Sequence, residues 1–347
     1  MYFGHFGRNV FLGAMYCAPT IGTIFCLTFW AQCIAPLHIK ILFNMIKNKY
    51  LLIFFMGWIV AFSGCETYEQ DVYAPRYVVQ AYLTALDPLP RISLSTDAPL
   101  NSVYDLKERA VKGANMEVQL LNAAGQIEAT YKYVDDPDSV SMYKPLDTRS
   151  VVLPKRTYAL KITFPNKTDV VSATTVVPDT FTVKKFNAKT FAYQALPQPT
   201  FTYSPSENVR GQSYFIASIH ALDAKKENLV PFWNPETAAF PDIKDGKRKA
   251  PNPYSSPILN EKNYSQSANG DVTIPLPWIT IVYYGRNVVT TQAMDDNIYD
   301  FFRSQSVQLG GGTLSPGEIP NAITGIKGGT GIFGSYAKAS AEIVVSR

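Results

Sequence analysis

Two sets of side chains in this 347-residue sequence have types and spacings that could do chemistry. The first is one thiol. Cys65 follows Phe62, Ser63 and Gly64 at the end of an apolar run. Small residues after an apolar run are what a processing site needs, and they leave the thiol as the one reactive group there. The second is a series of aromatic rings, Phe232, Trp233, Phe240, Tyr254 and Tyr264, spread through residues 231–277 among eight prolines. Aromatic faces stack on the C–H surface of sugars or grip peptide side chains, and prolines reduce the entropy lost when a loop is ordered. Phe232, Trp233 and Phe240 have a plainer use as well, folding back to cap the core of their own domain. Composition leaves both uses open.

Other chemistries fail for want of partners. After Cys65 the chain has a single histidine, His220, and no further cysteine, so neither a nucleophile with its base nor a zinc set of three or four ligands is available. No G-x-S-x-G elbow precedes a helix. His220 shares a strand face with Tyr214, Ile216 and Ser218, the setting of an edge or partly buried histidine. Asp135, Asp136 and Asp138 gather hard oxygens in a turn, but the central Gly and distal Glu of a calcium loop are missing, and a solvated Asp-Pro turn is expected. The glycines of residues 325–334 lack the Lys and Ser or Thr of a phosphate loop and are read as tight turns with close backbone approach. Lys244, Lys247, Arg248 and Lys249 surround Asp245-Gly246 as a solvated hairpin loop. No catalytic residue, metal or cofactor is expected, and the chain is read as a non-enzyme.

The net charge of +4 belongs wholly to residues 1–64, which hold Arg8, Lys40, Lys47 and Lys49 and no acid. The remaining 283 residues balance at 28 basic and 28 acidic groups, which argues against a nucleic-acid partner. From Met45, two lysines precede an apolar run from Tyr50 to Phe62. That run is a signal-peptide core in length and flank, and its 13 residues fall short of the ~20 a membrane span needs. With the cysteine it resembles a bacterial lipobox, in which the cysteine is diacylated and becomes the new N-terminus. Phe62 departs from the Leu, Val or Ile usual there. Residues 45–64 are therefore expected to be cleaved. Residues 1–44 are expected to lie upstream of the natural start, because Met45 would open a signal peptide unaided. Glu66, Glu69 and Asp71 make residues 65–76 an acidic tether.

Beyond the tether the texture is β. Short runs rich in Val, Ile, Tyr, Phe and Thr at 77–83, 91–96, 115–121, 128–133, 150–153, 157–164 and 169–177 predict a sandwich of immunoglobulin or transthyretin type over 77–178. Pro178-Asp179 is read as its boundary. A second β-rich domain over 179–347 is expected, with strands at 181–186, 201–203, 212–221, 272–274, 279–284, 288–293 and 339–345 and an irregular insertion at 231–277. One helix is predicted. Asp295 or Asp296 caps it, and Ile298, Phe301, Phe302 and Gln305 form one face.

The lipobox, the Ig-like domain, a strand followed by D-x-x-Y-D-F-F at 296–302, and a closing P-N-A-I with G-G-T-G-I-F-G-S-Y at 320–336 occur together here. In this combination the chain resembles the Bacteroidetes outer-membrane lipoprotein family catalogued as domain of unknown function 4249. The resemblance implies attachment to outer-membrane lipid through acylated Cys65. The acids after that cysteine resemble the signal that sends such lipoproteins to the cell exterior. It also implies an accessory binding or scaffold role beside a TonB-dependent barrel importer and its surface lipoprotein; the glycan or peptide ligand class comes from the aromatic insertion. The alternative is an adhesin or envelope-structural lipoprotein that uses its Ig-like domain for protein contacts.

Overall fold

The computed structural model describes residues 73–99, 102–206, 211, 213–308 and 322–347. Residues 45–64 with Phe62, Ser63 and Gly64, the thiol of Cys65, and the tether as far as residue 72 lie outside them. Eight elements come first: β1 (Tyr77–Thr84), β2 (Ile92–Thr96), a helical turn α1 (Leu106–Arg109), β3 (Asn115–Leu121), β4 (Ile127–Asp135), β5 (Met142–Pro145), β6 (Thr157–Thr163) and β7 (Val170–Val176). Next are β8 (Val183–Phe186), β9 (Thr190–Ala192), β10 (Thr200–Tyr203), β11 (Tyr214–Ala221) and the turn α2 (Pro241–Lys244). Four short strands follow, β12 (Tyr254–Ser255), β13 (Leu259–Asn260), β14 (Ser265–Gln266) and β15 (Val272–Pro275). The chain closes with β16 (Gly285–Met294), helix α3 (Asp296–Gln308), β17 (Ile326–Lys327) and β18 (Gly329–Ser346). The protein is mainly β and sandwich-like. No helix among the described residues is long and apolar enough to cross a membrane.

One large sheet runs β12-β11-β16-β18-β1-β2-β5-β4-β3-β6-β7-β17, and a small sheet runs β14-β15-β10-β8. Only Gly328 separates β17 from β18, so the path from β18 through β1 and round to β17 returns to its start and the sheet curls onto itself. Alternation sets which face turns inward. On β3 the buried residues are Met116, Val118 and Leu120, and on β6 they are Tyr158, Leu160 and Ile162. They meet Val79, Leu83, Ile92 and Leu94 in one continuous core.

β18 joins both halves of the chain. Its first half pairs in parallel with β1, from Tyr77↔Gly329 to Thr84↔Tyr336. Its second half pairs antiparallel with β16, from Met294↔Tyr336 to Gly285↔Val345. The division expected at 178–179 therefore falls inside one compact unit, Ala74–Arg347.

Most strands stand where the sequence places them, and tight turns at 123–125 and 165–167 connect β3 to β4 and β6 to β7, with Gly125 at φ +77° and Asn166 at φ +60°. Three segments differ. Residues 329–336 are strand and not turn, while Gly328 keeps the turn at φ +73°; the glycines are needed because β18 approaches carbonyls of its neighbours closely. Residues 150–153 make only a single bridge, Pro88↔Val151, and the Leu153 amide donates to the Tyr158 hydroxyl instead. Residues 279–284 begin in a 3-10 turn, Trp278–Thr280, and bridge only at Tyr283. β5, which the sequence did not suggest, fills the gap between β2 and β4.

Candidate functional site

Helix α3 begins at a buried polar node assembled from three strands and loops distant in sequence. Asp295 caps the helix, its Oδ1 accepting from the Ile298 amide at 2.9 Å. Its Oδ2 accepts from the Thr175 hydroxyl of β7, and Ser335 Oγ of β18 lies 2.6 Å from that same hydroxyl. Asn297 Nδ2 donates to Thr174 O at 2.6 Å and to Phe333 O at 2.8 Å, tying β7 and β18 to the first turn. Gly334 lies directly beneath; a Cβ there would come within 2.4 Å of Ile298. Thus the D-x-x-Y-D-F-F and G-S-Y segments meet as two sides of one joint. Lys155, residues 174–179 and residues 295–297 line a cleft of about 380 Å³ beside it.

Burial pushes the Asp295 carboxyl up to about 6, with Asp296 adding to the rise, against the lowering pull of the Thr175 hydroxyl and the Ile298 and Ser335 backbone. The folded chain therefore binds this proton more tightly than the unfolded chain, whose carboxyl keeps the ordinary 3.8. The resulting stability is fully present below 3.8 and is lost as pH rises through about 6. From pH 7 to pH 5 the chain is expected to gain about 1.5 kcal/mol in urea unfolding. Asp295→Asn keeps a capping oxygen and removes the charge, so its stability is expected to be level over that interval. Equal slopes for the two chains would contradict this. Asp136 and Asp147 shift downward, so their contribution is present above 3.8 and is lost only as pH falls below it, outside that interval.

The aromatic candidates divide. Trp233 is 2% exposed, with Phe232 edge-on at 5.4 Å and Tyr254 at 6.2 Å. Phe232 is half-buried and meets Phe240 at 5.1 Å, while Phe240 itself is 46% exposed. The Arg248 guanidinium lies over the Trp233 ring at 5.0 Å. Tyr264 stands apart, half-buried at the start of β14. The basic loop and the aromatic loop, separate features of the sequence, are one surface. Asn252 explains why: its Oδ1 accepts from the Ala221 amide at 2.9 Å and its Nδ2 donates to Ala221 O at 3.1 Å, pinning the proline-rich chain to β11.

The remaining candidates are placed as follows. His220 is exposed on β11, paired with Val288. The turn at 135–139 is not simply solvated: Asp136 is 4% exposed, with Arg91 at 3.1 Å and Lys144 at 3.4 Å. Burial pulls its carboxyl upward, but the Asp138 amide, Lys144 and Arg91 together outweigh that and hold it below the usual range. Nothing in the sequence marks Thr175 or Ser335 as partners of Asp295, and Arg248 reads there as one cation of a solvated loop and not as a cover for Trp233. For Arg248, a cation within about twenty residues of a tryptophan in a proline-rich loop was the only available signal.

The fold and this joint define a mainly β, sandwich-like protein with one helix fastened across the seam between β7 and β18. The chain belongs to the family described as a domain of unknown function (DUF4249), whose model matches residues 66–342. No curated protein matches it. Among solved structures, a tetra-tandem repeat from the extending region of a large adhesion protein is similar over 78% of this chain and 49% of its own, at 11% identity and a TM-score of 0.20. Trypsin-activated α2-macroglobulin from Escherichia coli is similar over 64% of this chain, at 9% identity and a TM-score of 0.18. Salmonella α2-macroglobulin reacted with methylamine covers the same share at 10% identity and 0.19. The chain spans about half the length of the adhesin fragment and 14% of either macroglobulin. At these TM-scores nothing about those proteins transfers to it.

Proposed function

We propose that this protein is a non-enzymatic, lipid-anchored component of the outer membrane, facing the cell exterior. It serves as an accessory binding or scaffold subunit beside a TonB-dependent nutrient importer and that importer's surface lipoprotein. The observation that carries the reading is Cys65, at the end of a short apolar run and after Ser63-Gly64. The family match begins at residue 66, so what the family shares is what cleavage before Cys65 would leave beyond the lipidated residue. Each buried CH₂ of an acyl chain contributes ~0.8 kcal/mol, and two or more chains make attachment stable. The importer enters only through what the family resemblance implies.

The course of β18 suits display. Tyr77, the first strand residue after the tether, pairs with Gly329 at one end of β18. Beyond the other end, Arg347 donates to Glu227 O at 3.0 Å. The loop after Glu227, with its aromatic and basic residues, therefore leaves from the end of β18 opposite Tyr77.

Metabolic labelling with an alkynyl palmitate tests the anchor. Label is expected on the wild-type chain in the outer-membrane fraction, and Cys65→Ala is expected to lose both label and membrane attachment. Unlabelled wild-type chain ends the proposal. Proteinase K on intact cells reads the face, and detergent co-purification with a barrel reads the importer.

A further inference from the structure

We propose that the surface formed by Phe232, Phe240, Lys244, Arg248 and Lys249 binds an acidic polysaccharide, a polymer of uronate or sulfated sugars. The proposal rests on the binding role above and names its ligand class. Within residues 242–249 four cations face two acids, and both acids are satisfied inside the loop: Asp242 lies 3.8 Å from Arg248 and Asp245 lies 3.3 Å from Lys247. Lys244 and Lys249 are exposed and have no partner among the described residues. Next to them, at the start of α2, stands the ring of Phe240, nearly half exposed and supported from behind by Phe232.

The patch is held rigid. Ile243 of α2 is 1% exposed, fixing the turn to the core, and the Arg248 amide donates to Asp242 O at 2.9 Å to close the loop. Arg248 is held over buried Trp233, so its position is set by the core and not by solvent. An exposed ring offers its face to the C–H side of a sugar, and the cations of the same loop meet carboxylate or sulfate groups. A short peptide would call for a pocket to take its anchoring side chain. Phe240 instead stands out from the surface. A nucleic acid calls for a basic stripe, and beyond residue 64 the chain's basic and acidic groups balance.

The test is affinity electrophoresis of the full chain, in detergent, through gels containing polygalacturonate, neutral dextran or polyglutamate, with flotation on phosphatidylglycerol vesicles as a fourth arm. Retention by polygalacturonate but not dextran is expected, weakening with salt. Phe240→Ala and the pair Lys244→Gln with Lys249→Gln are each expected to weaken it about tenfold. All three positions are exposed, and an unchanged Tm verifies that the variants fold. Retention by polyglutamate alone, flotation alone, no retention in any arm, or undiminished retention of both variants overturns the proposal. A chain that carries acyl label yet ignores polygalacturonate refutes this ligand class and leaves the anchor standing; an unlabelled chain that is retained does the reverse.

Discussion

Gly331→Val is expected to leave the chain insoluble, or folded with stability reduced by at least about 4 kcal/mol. Gly331 sits in the parallel ladder opposite Val79, with φ at +106°, a conformation that β-branched residues essentially never adopt. A Cβ there would lie 2.1 Å from Val79 O and 3.0 Å from Val79 C and N. All three are backbone atoms of a strand whose side chain is fully buried, so no rotamer change relieves the contact. Relief requires β1 to move away from β18, which opens the seam between the first and last strands of the fold. Domains are stable by roughly 5–15 kcal/mol, so such a loss exhausts much of the margin. Gly125→Ala is the control. Gly125 also has positive φ, at +77°, but nothing lies within 4 Å of its would-be Cβ, and about 1 kcal/mol is expected. Soluble yield and urea midpoints separate the two. If Gly331→Val costs no more than Gly125→Ala, the close approach does not exist.

That glycine marks the limit of what the sequence discloses. β3 and β6 are legible because alternating Met116, Val118, Leu120 and Tyr158, Leu160, Ile162 can bury only one face of an extended chain. The start of α3 is legible because its cap lies in Asp295, a single residue before the helix. The first half of β18 reads as turns since glycine usually marks turns; what demands glycine there is a carbonyl on β1, over two hundred residues away. The strand texture of 150–153 misleads for the converse reason. Its backbone groups are satisfied by Asp87 and the Tyr158 hydroxyl, with no ladder to join. The same distance hides the site. Asp295 is visible as a cap, but Thr175 and Ser335, which make it a joint, come from β7 and β18. The aromatic and basic loops were each visible, while the stacking of Arg248 on Trp233 that makes them one surface depends on the fold.

Trp233→Ala is expected to cost about 3–5 kcal/mol, the range for deleting a large buried aromatic, and to spend that loss locally. Trp233 is the core anchor of a loop that otherwise holds on through Ile243 and the Asn252 bridge to β11. Its ring supports Phe232, Tyr254 and Arg248, and its Nε1 reaches Ile279 O at 3.5 Å. With the indole gone, Phe232 and Arg248 lose their backing, and the turn that begins at Phe240 loses its seat. Hydrogen exchange is expected to show deprotection across residues 231–255 while the amides of β3 and β6 keep their protection, because that ladder pairs with β4 and β7 and not with β11, to which the loop is pinned. Trp233→Phe refills most of the space and is expected to recover more than half of the loss, although the cation–π contact, worth ~0.5–1 kcal/mol, weakens. The two variants also separate packing from recognition. Neither alters Phe240, Lys244 or Lys249, so retention by polygalacturonate should fall with loop protection, vanishing in the alanine chain and persisting in the phenylalanine chain. Unchanged protection of 231–255 in Trp233→Ala would mean that the loop is held by its prolines and Asn252 alone, and that the aromatic surface owes nothing to the core beneath it.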